Sequence, residues 1–396
     1  MEKNKIFKHK KLLFAALIAS MFVNILFISY MVVRTDLSDL YDKVLYYREI
    51  PVDEFQSPKI PEIYNHDILQ LSFVKNVKTK SDFEPWRDQV VIKTRELLNI
   101  PPDEEINNQL PTKIYFQDHK SYTITKYSML ALDDDEILFY EVLPDRMGEK
   151  VPAVLIIPAS GNMGAKDVLG IPSDLTKYYR EKDIGVKIVN QGYAVYVIEN
   201  RGWGERSIDV GTECNLTTKS GKLSCSGILL DVNLNNLGYH LGGLQTTDTI
   251  QLLKLIQSRN YVDNENITIM SLSLGGGVSF IVSALYPEIK STIVASGITN
   301  LNKTRPFGSG TFGILKYFDT TDIAATIAPR PLYLSWGYQE GGPFGFDART
   351  HYAYNQIKKS YELFDAENNI VAISHSGGHT YDVPSVLDFL NKTLEK

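Results

Sequence analysis

The residues best able to do chemistry lie in Ile267-Thr-Ile-Met-Ser271-Leu-Ser273-Leu-Gly275-Gly-Gly277. An apolar run, a turn of small residues and a helical stretch make a strand–turn–helix. A serine at such a turn is thrust out above the sheet, with the N-terminus of the next helix beneath it. Ser273 occupies that place. Small residues are needed two before and two after it, because strand and helix approach closely there. Gly275 fills the later position, and Ser271 stands where glycine is more usual. Packing alone can also produce a small-rich turn, so the serine needs partners: a base to take its proton and an acid to orient that base.

Three of the seven histidines follow Ser273. His351 falls within a helical stretch and His375 ends a strand. His379 sits in the glycine turn Ser376-Gly-Gly-His-Thr-Tyr381, beyond the last strand, where a base is expected. The acid is expected after the strand Leu332–Trp336, and two carboxylates compete for the role. Glu340 comes four residues past the strand and is preferred; Asp347 opens the next helix, where an N-cap is its plainer use. An oxyanion needs two backbone N–H groups. One is expected from Leu274, after the nucleophile. The other is expected from Ala159 or Ser160 in Pro158-Ala-Ser-Gly-Asn162, since Pro158 has no N–H to give.

These residues must be held by a sheet. From Val151 onward, apolar runs of five to seven residues alternate with helical stretches, which predicts a doubly wound, mostly parallel α/β fold. The expected strands are Ala153–Ile157, Ala194–Glu199, Ile267–Ser271, Ser291–Ala295, Leu332–Trp336 and Ile370–Ile373. The expected helices are Asp183–Gln191, Gln245–Ser258, Gly276–Tyr286, Ala348–Phe364 and Val383–Leu394. Ahead of them, Ser81-Asp-Phe-Glu84 reads as a capping box. Phe83, Trp86, Val90, Thr94 and Leu97 follow at helical spacing, up to the stop at Asn99-Ile-Pro-Pro102. Tyr122–Leu132 and Ile137–Leu143, joined by an acidic turn at Asp133-Asp134-Asp135, read as a β-hairpin.

Taken together, the chain resembles the α/β-hydrolase superfamily, more narrowly its acetyl-xylan-esterase-like and dienelactone-hydrolase-like branch. Glu199-Asn-Arg-Gly-Trp-Gly-Glu-Arg206 resembles that branch's Asp-x-Arg-Gly-x-Gly segment. Asp248 lies in the helix leading to Tyr261-Val-Asp263, Ser271–Gly277 resembles the nucleophile elbow, and Ser376-Gly-Gly-His379 the terminal histidine motif. The helix from Trp86 to Pro102 is similar to the helical prelude of these proteins, so the resemblance covers roughly residues 81–394. Two departures stand out: Pro158-Ala-Ser-Gly161 replaces a frequent His-Gly-x-Gly, and the acid is Glu rather than the commoner Asp. Arg201, Asp248 and Asp263 read as structural. Residues 297–328 stand where such folds insert a cap, and Phe307, Phe312, Leu315, Tyr317 and Phe318 either line a pocket or fill core. The resemblance implies a serine esterase for small acyl groups, such as acetyl on a carbohydrate, with no metal or organic cofactor. A peptidase on the same fold and a non-catalytic surface or adhesion protein are the alternatives.

The 396-residue chain is 43% hydrophobic and 22% charged, close to the globular average. Its net charge of −6 is unevenly spread. Residues 1–34 hold five Lys, one Arg and one Glu, a charge of +5, and the remainder carries −11. An acidic body argues against a nucleic-acid partner. The basic arm, residues 1–11, instead precedes an uncharged run, Leu12–Val33, about 33 Å long as a helix and enough to cross a bilayer core of roughly 30 Å. Arm and run together predict a single-pass signal anchor at residues 12–33 contacting the lipid bilayer. The N-terminus would be cytoplasmic and the rest extracytoplasmic. Residues 34–80 then read as a spacer and 81–396 as the catalytic domain. Cys214 and Cys225, enclosing ten residues with a Ser-Gly turn signal, are a disulfide candidate in that oxidising compartment.

Overall fold

In a computed structural model of the chain, residues 69–106, 110–160, 164–172, 183–208, 219–298, 313–340 and 348–394 are described. The chain divides at Glu54/Phe55, and every described residue belongs to the second unit. Residues 12–33, the disulfide candidate Cys214, Phe307, Phe312 and Asp347 lie outside the described residues. Among the described residues no helix is long and apolar enough to cross a membrane.

The centre is a nine-stranded sheet of order β1-β2-β3-β5-β4-β6-β7-β8-β9. Strands β1 (Thr112–Asp118), β2 (Tyr122–Leu130) and β3 (Glu136–Pro144) form an antiparallel edge. From β5 (Ala194–Ile198) the neighbours run parallel: β4 (Val151–Ile157), β6 (Val262–Leu272), β7 (Ser291–Ala295), β8 (Leu332–Gly337) and β9 (Ile370–His375). All residues of β4, β5, β7 and β8 are buried, which is why they read as unbroken apolar runs. Successive side chains still alternate between two cores: Ala153, Leu155 and Ile157 enter one, Val154 and Ile156 the other.

Helices cover both faces. Short α3 (Ala165–Val168) and α4 (Ile184–Val189), with the C-terminal helix α10 (Val383–Thr393), pack on the second core. The first core is covered by α2 (Lys80–Leu98), α6 (Leu241–Gln257), α7 (Gly275–Leu285), α8 (Thr320–Ala325) and α9 (Ala348–Glu362). Before α2, the single turn α1 (Phe73–Asn76) ties the prelude to α8, the Phe73 N–H donating to Asp322 Oδ1 at 2.8 Å.

Several elements differ from the sequence expectation. The prelude's cap is Thr79, not Ser81: Asp82 Oδ2 accepts the Thr79 N–H at 2.8 Å and its hydroxyl at 2.8 Å, so the box lies two residues upstream with Asp in place of Glu. Residues 73–76, within the expected spacer, are helical because Phe73 packs on Trp86 at 5.2 Å between ring centroids. The hairpin gains a third strand, β1, unannounced because all seven of its residues are exposed and carry no burial pattern. Strand β6 starts at Val262 and α6 at Leu241, five and four residues earlier than expected. Residues 219–236 form the helix α5 (Lys219–Asn236), so Ser220-Gly221 is not a turn; the side chain of Cys225 lies outside the described residues. In the expected cap, Phe318 is fully buried in the first core, whereas Leu315 is 36% exposed.

Candidate active site

Ser273 lies between β6 and α7 at φ +58°, a left-handed conformation unusual for a residue with a Cβ. Three close approaches hold it there. The Ser273 N–H donates to Ala295 O of the adjacent strand at 2.9 Å. A Cβ on Gly275 would lie 2.5 Å from Ile157 O, and one on Gly297 would lie 2.7 Å from Ser273 O. Glycine is therefore required at both positions. Ser271 is accommodated two residues before because its fully buried hydroxyl donates to Ile293 O at 3.4 Å. Ser273 itself is only 7% exposed. Leu274 caps the N-terminus of α7, where backbone N–H groups have no carbonyl within the helix and point beyond its end.

The candidate acid and base follow the strands β8 and β9. Glu340, past β8, is buried, and one of its oxygens accepts a hydrogen bond from His379 Nδ1. With Nδ1 as donor, the neutral imidazole carries its lone pair on Nε2, the nitrogen a base needs. The other Glu340 oxygen accepts Ser296 Oγ at 2.6 Å and the Gly337 N–H at 3.3 Å. Backbone bonds lace the two loops together, Tyr338 N–H to His375 O at 2.8 Å and Gln339 N–H to Gly377 O at 3.0 Å. A Cβ on Gly337 would meet Gly378 O at 2.2 Å, so that approach also needs glycine.

Ser296 escaped sequence reading. It follows β7 at φ +49°, its N–H donates to Ser335 O at 2.7 Å, and its hydroxyl holds the carboxylate. The signal was present in Ala295-Ser-Gly297, a small-residue turn after the strand beside the nucleophile strand. His375 makes a local bond, its Nδ1 accepting the Gly377 N–H at 3.1 Å, and His351 lies exposed on α9.

On the far side of Ser273, Ala159 is buried and Ser160 part-exposed just past β4; residues 161–163 lie outside the described residues. The segment after β5 is braced by a charge network. Arg201 grips Asp248 with Nε at 3.1 Å and Nη2 at 2.9 Å and reaches Asp133 at 2.9 Å; Arg206 Nη1 bonds Asp248 at 2.7 Å. The Arg201 guanidinium holds the Asp133 carboxyl below its usual range. Asp263, at the start of β6, accepts Asn266 Nδ2 at 2.8 Å. Among the described residues no group of three or more His, Cys, Asp or Glu is arranged to hold a metal ion.

The sequence profile of the family Abhydrolase_7, described as an abhydrolase family, matches residues 66–383. Bacillus subtilis (strain 168) YtaP, provisionally named a hydrolase, is 25% identical over 203 residues, 48% of this chain and 61% of YtaP. The chain thus spans less than two thirds of that relative. A Bacteroides fragilis NCTC 9343 structure provisionally named an acetyl xylan esterase superposes with a TM-score of 0.60 at 19% identity, covering 77% of this chain and 80% of that one. A glucuronoyl esterase from Solibacter usitatus gives 0.59 at 13% identity, covering 86% and 99%. These neighbours are esterases of the α/β-hydrolase type, and at such identity the likeness is one of fold. The family match over most of the chain, laid on this sheet and its strand–serine–helix turn, means that the chain belongs to the Abhydrolase_7 family of α/β-hydrolases.

Proposed function

We propose that this protein is a serine esterase for short acyl groups, acetyl on carbohydrate foremost, anchored by residues 12–33 with its catalytic unit outside the cytoplasm. The observation that carries the reading is the bond from His379 Nδ1 to the buried Glu340 carboxylate, which Ser296 ties to the turn holding Ser273. Ser273 Oγ attacks the ester carbonyl while His379 Nε2 takes its proton. The tetrahedral oxyanion rests on the Leu274 N–H and that of Ala159 or Ser160. Collapse breaks the bond to the alcohol, which leaves with the proton from His379; water, activated by the same imidazole, then releases the acid. Glu340 fixes the tautomer and stabilises the imidazolium. The substrate class draws support from the names of the structural neighbours, acetyl xylan and glucuronoyl esterases.

The test is labelling by a fluorophosphonate probe together with hydrolysis of p-nitrophenyl acetate. Wild type is expected to label and turn over, and Ser273→Ala to do neither. A wild-type chain that is inert to both overturns the proposal. Topology is tested on intact cells, where external protease is expected to cleave within residues 35–396; protection of that region contradicts the anchor.

A further inference from the structure

A buried carboxylate is costly unless every oxygen is used. Glu199, the first residue past β5, is fully buried, and burial pushes its carboxyl up to about 8. It plays no part in the acid–base pair. Its Oε2 accepts the Ala165 N–H at 3.0 Å and its Oε1 the Glu205 N–H at 3.3 Å. The walls around it are backbone. Gly164 and Gly204 both sit at φ +53°, and a Cβ on either would fall 1.6 and 1.8 Å from Glu199 Oε1. The next residue, Asn200, is also buried, and its Nδ2 donates to Pro158 O at 2.7 Å.

β4 and β5 are parallel neighbours, Ile156 opposite Val197, so the two chains leave the sheet side by side. Asn200 therefore holds the start of the segment that leaves β4, at Pro158, and Glu199 holds its far end at Ala165. A third grip lies just beyond, where Lys166 pairs with Glu205 at 3.0 Å; Glu205 also takes Lys126 at 3.0 Å and the Tyr140 hydroxyl at 2.8 Å. Directly after Pro158 come Ala159 and Ser160, the backbone expected to complete the oxyanion site opposite Leu274.

We propose that Glu199 and Asn200 are positioning residues that set the oxyanion-side backbone against Ser273, Asn200 through its bond to Pro158 and Glu199 through its bond to Ala165. This rests on the esterase reading above. The effect belongs to the transition state, because an N–H displaced by a fraction of an ångström weakens its bond to a developing oxyanion while leaving ester binding nearly unchanged.

The experiment measures p-nitrophenyl acetate hydrolysis by the full-length protein, per site titrated with a fluorophosphonate, for Asn200→Ala, Glu199→Gln and Ser273→Ala. Inhibition by benzeneboronic acid, which adds to a serine as a tetrahedral anion, is read alongside. Glu199→Gln replaces one acceptor oxygen by an NH2 that opposes a backbone N–H. In both positioning variants kcat per titrated site is expected to fall roughly 10- to 100-fold, with KM within about twofold and boronate affinity falling in step with kcat. A merely structural role would lower the number of active sites and leave kcat per site and boronate affinity unmoved; that result overturns the proposal. If Glu199→Gln does not fold, Asn200→Ala removes one neutral bond at the opposite end and decides by the same two readings. Wild-type values in Asn200→Ala beside an inert Ser273→Ala overturn the positioning role alone. Hydrolysis surviving in Ser273→Ala overturns the esterase reading and this role with it.

Discussion

Glu340, the candidate acid, is held in place by groups beyond the histidine it faces. One oxygen meets His379 and the other is shared by the Ser296 hydroxyl and the Gly337 N–H. Ser296→Ala removes a hydrogen bond to a buried charged group, worth about 1.5–3 kcal/mol. Steady-state kinetics are expected to show kcat lowered about tenfold with KM little changed; an unchanged kcat would deny Ser296 any hold on the acid. Gly337→Ala drives a methyl group into Gly378 O, 2.2 Å from the new Cβ. Overpacking of this kind costs on the order of 1–3 kcal/mol, and here it also separates the acid loop from the base loop. Thermal unfolding and kcat are therefore expected to fall together. Of these residues Ser273, Glu340 and His379 stood out in sequence because their types are chemical. Ser296 did not, because a serine after a strand is ordinary until the carboxylate arrives from forty-four positions away.

At the scale of elements, the prelude is the part whose attachment depends most on a few contacts. Phe83 is nearly fully buried, meeting Phe364 edge-on at 4.8 Å and Trp86 at 5.7 Å. Phe83→Ala is expected to cost about 3–5 kcal/mol in chemical denaturation. The second attachment is Asp322, whose oxygens accept the Phe73 and Asp319 N–H groups at 2.8 Å each. Burial pushes its carboxyl up to about 7. The folded protein therefore keeps a proton that the unfolded chain releases near 3.8, so this group's contribution is fully present below that value and lost as pH rises through about 7. The unfolding midpoint is expected to decline between pH 5 and 8, with a flatter decline in Asp322→Asn; an identical slope would refute the assignment. The prelude helix was legible from Phe83, Trp86, Val90 and Thr94, all buried on one face. Its true cap was not, because Thr79-Lys-Ser-Asp82 and Ser81-Asp-Phe-Glu84 are equally good boxes until the chain before them is bound to α8.

Across the whole molecule, Glu199 and Asp322 act in the same direction. Glu199 titrates near 8 when folded against 4.5 unfolded, so it too favours the folded state on the acid side. Asp133 works oppositely at lower pH, being held ionised beside Arg201. Maximum stability is accordingly expected at mildly acidic pH, and a midpoint that rises steadily from pH 5 to 8 would contradict that balance. The +5 arm and the acidic remainder divide the chain in another way. The full chain is expected to stay with membranes through carbonate extraction, and a chain starting at residue 35 to be released. Retention of the shortened form would take the anchor away from residues 12–33.

The parallel strands, the helices between them and the turn around Ser273 were readable by themselves, because burial on both faces forces apolar runs and a tight strand–helix turn forces small residues. Local sequence could go no further for β1 and α5: an edge strand exposed on both faces and a helix in a long connection carry little local imprint of burial. Which carboxylate meets His379, what holds it, and why Gly164 and Gly204 must be glycine were decided by tertiary structure alone. Each depends on groups from segments distant in sequence coming into contact, and no local pattern of residues encodes that approach.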